Sequence, residues 1–229
     1  MTPEQLAEIQ RLRDRQVAPK QIARKLGLRP AEVKLAIQEQ AAVVGKSKPK
    51  GKLELCLANS AMVEALLFPE RREHASSSNL GLGCVMVTRQ DRGRFASSIF
   101  LVDYYCLGVK NVTNKKADKI THRLLAEASF AQFSEGAEEI SLAQAQAIVY
   151  GAIDYARGLG FEPHQDFEKG KAVLGDRLDS LQTIEFGREG KPFYFQGPYD
   201  NADKVIATLD KSVGKGNYDW LLAAGGDFI

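Results

Sequence analysis

Apolar residues in the first 44 positions recur every three or four residues, which is the spacing of one face of an α-helix. Leu6, Ile9 and Leu12 form such a face, and Thr2 followed by Pro3 is a typical start for the helix that carries them. The pattern therefore predicts a first short helix that buries one side.

Proline and glycine mark two further helices. Pro19 begins the second, Gly27 supplies the left-handed residue that ends it, and Pro30 begins the third. The inward residues of these two helices are predicted to be Ile22, Ala23, Leu26, Val33 and Ile37. Only residues 27–29 separate the two helices, and three residues are the turn length of the DNA-binding helix-turn-helix. Residues 1–44 are therefore predicted to form a three-helix module of this kind.

Residues 45–52 are predicted to be a flexible linker, because no apolar residue among them could anchor a packed structure. Its lysines stand at every second position, where they could contact phosphates without reading bases: Lys46, Lys48, Lys50 and Lys52. Residues 1–52 hold twelve Lys or Arg against five Asp or Glu, whereas the remainder holds nineteen against twenty-four. This split predicts that only the amino-terminal part meets a polyanion.

Residues 53–229 are predicted to form a second domain. Its elements are, in order, a helix within 53–68, a hairpin of 83–88 with 96–105 around a turn at 90–93, helices over 115–133 and 141–157, a hairpin of 183–187 with 192–196, and a helix from about 200 to 214. Ser141 is a helix-capping residue at the start of the second of these helices. The order β-β-α-α-β-β-α predicts an α+β fold, a mainly antiparallel sheet with helices packed on one side.

Residues 21–33 resemble the helix-turn-helix of resolvase-like and sigma-like DNA-binding domains. The resemblance rests on the small Ala23, the turn residue Gly27 and the apolar Leu28 and Val33, which let two helices cross closely. It implies that residues 30–38 are the recognition helix. Side chains placed to reach a groove would be Arg29, Glu32, Lys34 and Gln38. Side chains placed to hold phosphates would be Arg11, Arg13, Lys20, Arg24 and Lys25.

Four segments of the second domain are distinctive: residues 100–110, 150–157, 160–167 and 190–198. In them the chain resembles a bacterial family of helix-turn-helix proteins of unknown function, whose second domain is shared with some SEC-C motif proteins. The resemblance implies the same two-domain organisation and brings no established activity. The cysteine-rich tail of the SEC-C members is lacking here, so the resemblance implies no metal site.

The second domain also holds candidate catalytic residues. Asp103 stands among apolar and aromatic residues, where a carboxylate is costly unless paired, and Lys110 is its predicted partner. Such a pair is either catalytic or a structural tie, and the structural tie is favoured. His164 and Asp166 lie in a loop, a common place for functional residues, although the simpler interpretation is that His164 caps Gly160 or bonds to a nearby carbonyl.

A cluster of Asp103, Asp154 and Glu185 would suit Mg²⁺ and phosphodiester cleavage if the three carboxylates converge. No nucleotide-binding, zinc or nucleophile motif accompanies them. Cys56, Cys84 and Cys106 are far apart among apolar neighbours, which is typical of buried reduced thiols. We therefore expect no cofactor and no metal. The absence of a long apolar segment predicts no membrane contact and a cytoplasmic protein.

The leading interpretation is a non-enzymatic protein that binds duplex DNA, a transcriptional regulator whose second domain senses or recruits a ligand, RNA or another protein. One such module contacts few base pairs, so specific binding would need a homodimer or a second contact surface. Two alternatives stay open. The first is a metal-dependent nuclease or hydrolase on Asp103, Asp154 and Glu185. The second is an RNA- or ribosome-associated adaptor, which exposed aromatic stacking surfaces would favour among Tyr104, Tyr194, Phe195, Tyr199 and Trp220.

Overall fold

The computed structural model describes residues 17–34, 49–68 and 80–222, together with the single residues 5, 8, 9, 12 and 36. The chain divides into two compact units, Met1–Ser47 and Lys48–Ile229. Among the described residues, no helix is long and apolar enough to cross a bilayer.

The first unit contains helix α1, Pro19–Leu26, and a helical turn over residues 30–34. The helix predicted between Pro19 and Gly27 is confirmed: Pro19 stands in its first turn, and Gly27 ends it with a φ of 64°. Leu28 donates its backbone N–H to the carbonyl of Ala23 at 2.9 Å, which closes the end of the helix. The described core of this unit consists of Ile9, Leu12, Ile22, Ala23, Val33 and Ala36.

The second unit is α+β. Its strands are β1 Lys52–Asn59, β2 Leu82–Asp91, β3 Arg94–Asp103, β4 Gly108–Ala117, β5 Ala137–Glu139, β6 Phe193–Phe195 and β7 Asp219–Leu221. Its helices are α2 Ser60–Leu67, α3 Lys119–Phe130, α4 Leu142–Gly158, α5 Phe167–Leu174 and α6 Ala202–Ser212. An antiparallel five-stranded sheet has the order β4-β3-β2-β1-β5, and β6 pairs with β7 in parallel.

Helices cover both faces of the five-stranded sheet. Side chains alternate along β2, and those on each face pack against different helices. Val85 and Val87 point into the main core with residues of α2, α4 and α5. Cys84 and Met86 point the other way and pack with Phe130 of α3. The prediction of helices on one side only is therefore wrong. The apolar face of α3 is short, so the sequence did not indicate that α3 packs on the second face of the sheet.

Several predicted elements are confirmed. β2 and β3 pair as the expected hairpin, with Arg92 and Gly93 alone between them. Helix α4 begins after Ser141, whose hydroxyl accepts from the backbone N–H of Gln144 while the Gln144 side chain accepts from Ser141. Helix α6 begins after Asn201, which caps it through the N–H of Lys204. These elements carry strong local signals.

Other predicted elements are wrong or incomplete. The helix predicted within residues 53–68 is confirmed as α2, but strand β1 before it was not predicted, because β1 and α2 are both buried and their apolar residues run together. Residues 108–117 form strand β4 and the helix after it covers only 119–130, because an edge strand that exposes polar side chains lacks a clear strand pattern. Helix α5 was not predicted.

The hairpin predicted for residues 183–196 is also wrong. At the predicted turn, the structure contains only a single antiparallel β-bridge, between Arg188 and Lys191. Residues 193–195 pair instead with residues 219–221, which lie much further along the chain, so the alternation in this segment reflects a different neighbour. The predicted order β-β-α-α-β-β-α is replaced by the order given above.

Candidate functional site

The first unit presents exposed cations on the outside of its helices. Because Ile22 and Ala23 are buried, the other side of α1 carries exposed Lys20, Arg24 and Lys25. Lys20 and Arg24 are four residues apart and therefore neighbours on the helix surface. No ion pair involves these three side chains within the described part of the chain. Their charges are available to an external anion.

A groove separates the beginnings of the two helical segments. It has a volume of about 500 Å³ and is lined by Ala18, Pro19, Lys20, Pro30, Ala31 and Lys34. Lys20 stands on one side and Lys34 on the other, and both are exposed. The other lining residues are alanine and proline. The sugar-phosphate backbone of a nucleic acid would therefore meet no carboxylate from the residues that line the groove.

Arg29 and Glu32 form a local pair at the start of the helical turn 30–34. The Glu32 carboxylate accepts from the backbone N–H of Arg29 at 3.0 Å and from its Nη2 at 2.8 Å. The Arg29 side chain, which hydrogen-bonds Glu32, lowers the pKa of that carboxyl. Glu32 thus caps the turn and balances Arg29, so the negative charge beside the groove is already neutralised.

The other candidate DNA contacts divide into two groups. Lys50 lies within the described residues and is exposed. The remaining candidates, Arg11, Arg13, Gln38, Lys46 and Lys48, lie outside the described residues.

Asp103 is buried at the end of β3, where it organises the turn that follows. Its Oδ1 accepts the backbone N–H groups of Tyr105 at 3.1 Å and Cys106 at 2.9 Å. Burial raises the pKa of Asp103 to about 6, and the Lys110 charge and the backbone N–H groups oppose that rise. The carboxylate therefore holds a turn, as in an Asx turn.

Lys110 does not form the predicted ion pair with Asp103. Its Nζ donates instead to Oδ2 of Asp200 at 2.7 Å, and the same oxygen accepts the backbone N–H of Gly197 at 2.9 Å. Both charged side chains are largely buried. Lys110 thus ties β4 to the segment before α6, 90 residues away, which supports a structural role.

Replacing Asp103 by asparagine should change how stability depends on pH. The folded pKa of about 6 lies above the ordinary value of 3.8, so this group stabilises the fold below pH 3.8. That contribution is lost as the pH rises through 6. The Asp103→Asn variant, whose side chain is always neutral, should match the wild type at pH 4 and exceed its free energy of unfolding by about 2 kcal/mol at pH 8.

Urea unfolding at both pH values tests this, with Asp179→Asn at an exposed position as the control. An identical pH dependence for wild type and Asp103→Asn would contradict the burial argument.

The candidate catalytic residues do not converge. Nδ1 of His164 accepts the backbone N–H of Asp166 at 3.2 Å, rather than bonding to a carbonyl as the simpler interpretation expected. Asp154 pairs with Arg177, and Glu185 is exposed near Gly190. Within the described residues no three His, Cys, Asp or Glu side chains form a group that could hold a metal ion. The condition set for the Mg²⁺ cluster of Asp103, Asp154 and Glu185 is therefore not met.

One polar cluster of the second unit was not predicted, because nothing in the sequence indicates that its residues meet. His122 of α3 is buried, stacks on Phe95 at 4.8 Å and shares a hydrogen bond of 3.1 Å with Thr88, which continues to Ser97. Its partners lie on strands remote in sequence. Burial lowers the pKa of His122, so it is a neutral residue of the packed layer between α3 and the sheet.

Some of the aromatic residues that could stack on RNA are buried and others are exposed. Tyr104 and Tyr194 are buried, whereas Tyr199 and Trp220 are exposed. The buried pair packs in the cores of the unit. Phe195, the fifth residue of this set, is half-buried. Tyr199 and Trp220 are the fully exposed rings of the set, and no stacked pair of the two is found among the described residues.

Comparisons with known proteins add no relative. No family model, curated protein or solved structure matches the chain. The resemblance to helix-turn-helix proteins stays a prediction.

Proposed function

We propose that the chain is a DNA-associated protein that binds duplex DNA through a helix-turn-helix in its first unit. In this proposal residues 30–38 enter the major groove, and Lys20, Arg24 and Lys25 hold phosphates beside it. The second unit would sense or recruit a ligand, as in a transcriptional regulator. The observation that carries the proposal is the exposed pair Lys20 and Lys34 on the two sides of the groove, with exposed Arg24 and Lys25 further along α1.

Three features of the described residues support this proposal. The left-handed Gly27 gives the short turn that brings two helices together. Ala23 is buried and small, so the helices can approach closely. The Glu32 carboxylate, which would repel the DNA backbone, is paired with Arg29, and this pairing offsets the repulsion.

A competition experiment tests the choice of nucleic acid. The full chain is bound to a fluorescent duplex of about 30 base pairs and random sequence at low salt, and unlabelled duplex or an RNA hairpin of equal length is added. We expect the duplex to compete at least about tenfold better than the RNA, because the major groove of A-form RNA is too narrow for a helix.

RNA that competes better than DNA would reject the proposal in favour of the RNA-associated alternative. A chain that binds neither at low salt would reject nucleic-acid binding altogether.

A further inference from the structure

Cationic side chains also collect at one end of the five-stranded sheet in the second unit. This end is formed by the start of β1, the β2–β3 turn, the end of β4 and the start of α3. Its exposed cations, called here the basic rim, are Lys50, Lys52, Arg92, Arg94, Lys115, Lys116 and Lys119. Within the described part of the chain, no ion pair involves any of these seven.

Strand register brings these residues together from separate parts of the sequence. Lys52 lies opposite Gln90, Arg94 opposite Asp91, and Lys116 opposite Ala96. Gly51 packs against Gln90: a Cβ on Gly51 would lie 2.6 Å from the backbone carbonyl oxygen of Gln90. The neighbouring Lys50 is therefore at the same end of the sheet as the β2–β3 turn. The distance from β1 to β4 is three strand spacings, about 14 Å. A segment of one DNA strand of that length contains about four phosphates.

Carboxylates at this end are fewer than the seven cations of the basic rim. Glu54, Asp91 and Asp118 are the acidic residues among these segments. Asp118 caps α3 through the N–H of Thr121, and the Arg94 charge adds to the lowering of its pKa. Lys119 stands in the first turn of α3, where the helix dipole disfavours a cation. Lys119 therefore does not stabilise α3 through the helix dipole.

The chemistry of the basic rim favours the phosphates of a duplex over single-stranded bases. Proteins that bind single strands stack the bases on exposed aromatic rings. Phe95 is the aromatic residue of the rim segments, and it is buried and stacked on His122. The rim thus offers charge and no stacking surface among its described residues.

We propose that the basic rim is a second duplex-DNA contact, which binds the sugar-phosphate backbone without reading sequence. The inference rests on the proposed function and deepens it. A single helix-turn-helix covers few base pairs, and a rim that begins at the end of the linker supplies further phosphate contacts from the same chain. The second unit would then hold the duplex as well as respond to a ligand.

The test uses the full chain with Arg94→Gln, Lys115→Gln and Lys116→Gln combined. Duplex affinity is measured by fluorescence anisotropy from about 50 to 300 mM salt. Three lost phosphate contacts should lower the slope of log affinity against log salt by about 2.7, and the affinity at the lowest salt should fall at least about tenfold. Thermal unfolding of the triple variant should coincide with that of the wild type, because all three residues are exposed.

A matched control removes three exposed lysines elsewhere in the second unit: Lys204→Gln, Lys211→Gln and Lys215→Gln. The proposal predicts that this control keeps the slope of the wild type. If the rim variant behaves like this control while Arg24→Ala with Lys25→Ala weakens binding, the basic rim is rejected and the proposed function stands. If only the rim variant weakens binding, the rim is supported and the helix-turn-helix proposal fails.

Discussion

Replacing Gly108 by alanine is expected to lower the free energy of unfolding of the second unit by about 4 kcal/mol. Gly108 begins β4 with a φ of 68°, a left-handed conformation that costs other residues about 1 kcal/mol or more. A Cβ at this position would also lie 2.6 Å from Cβ of Ala156 and 2.8 Å from the carbonyl oxygen of Ala152. Helix α4 would have to move away from the sheet, which adds a packing cost.

Gly93→Ala separates the two causes of this loss. Gly93 has a similar φ of 77°, but an added Cβ there meets no atom within 4 Å. Its substitution should therefore cost only about 1 kcal/mol. Urea unfolding followed by fluorescence suits both variants, because Trp220 is the single tryptophan and lies in the second unit. Equal losses for the two variants would show that close contact with α4 is not important at position 108.

Local signals explain which parts of the fold could be predicted. Ser141 and Asn201 each accept one backbone N–H in the first turn of α4 and α6, so each helix start is marked in the sequence. Arg92 and Gly93 turn the chain between two strands that are its immediate neighbours. In each case the residues that determine the structure are adjacent along the chain.

Features that depend on distant residues could not be predicted. Lys110 was matched with Asp103, which is close to it in the sequence, whereas its true partner Asp200 is brought near only by the fold. The basic rim is likewise formed by strand register, which joins Lys52, Arg94 and Lys116 across three pairings. Net charge did not indicate the rim, because residues 53–229 are acidic in total and only five of their nineteen Lys and Arg residues belong to it.

The double substitution Arg24→Ala with Lys25→Ala is expected to weaken duplex binding by roughly one to two orders of magnitude at low salt. Both side chains are exposed on α1 and form no ion pair within the described residues. Each phosphate contact releases about 0.9 counterion, so losing two should lower the slope of log affinity against log salt by about 1.8. Both residues favour helix formation no more than alanine does, so α1 should remain folded.

The most direct test of DNA binding by the first unit compares three proteins on one fluorescent duplex from about 50 to 300 mM salt: the wild type, Arg24→Ala with Lys25→Ala, and Lys204→Ala with Lys211→Ala. The account predicts a slope of several units for the wild type and the Lys204/Lys211 control, and a slope lower by about 1.8 for the Arg24/Lys25 variant. A wild-type affinity that does not change with salt, or equal slopes for the two double variants, would contradict it.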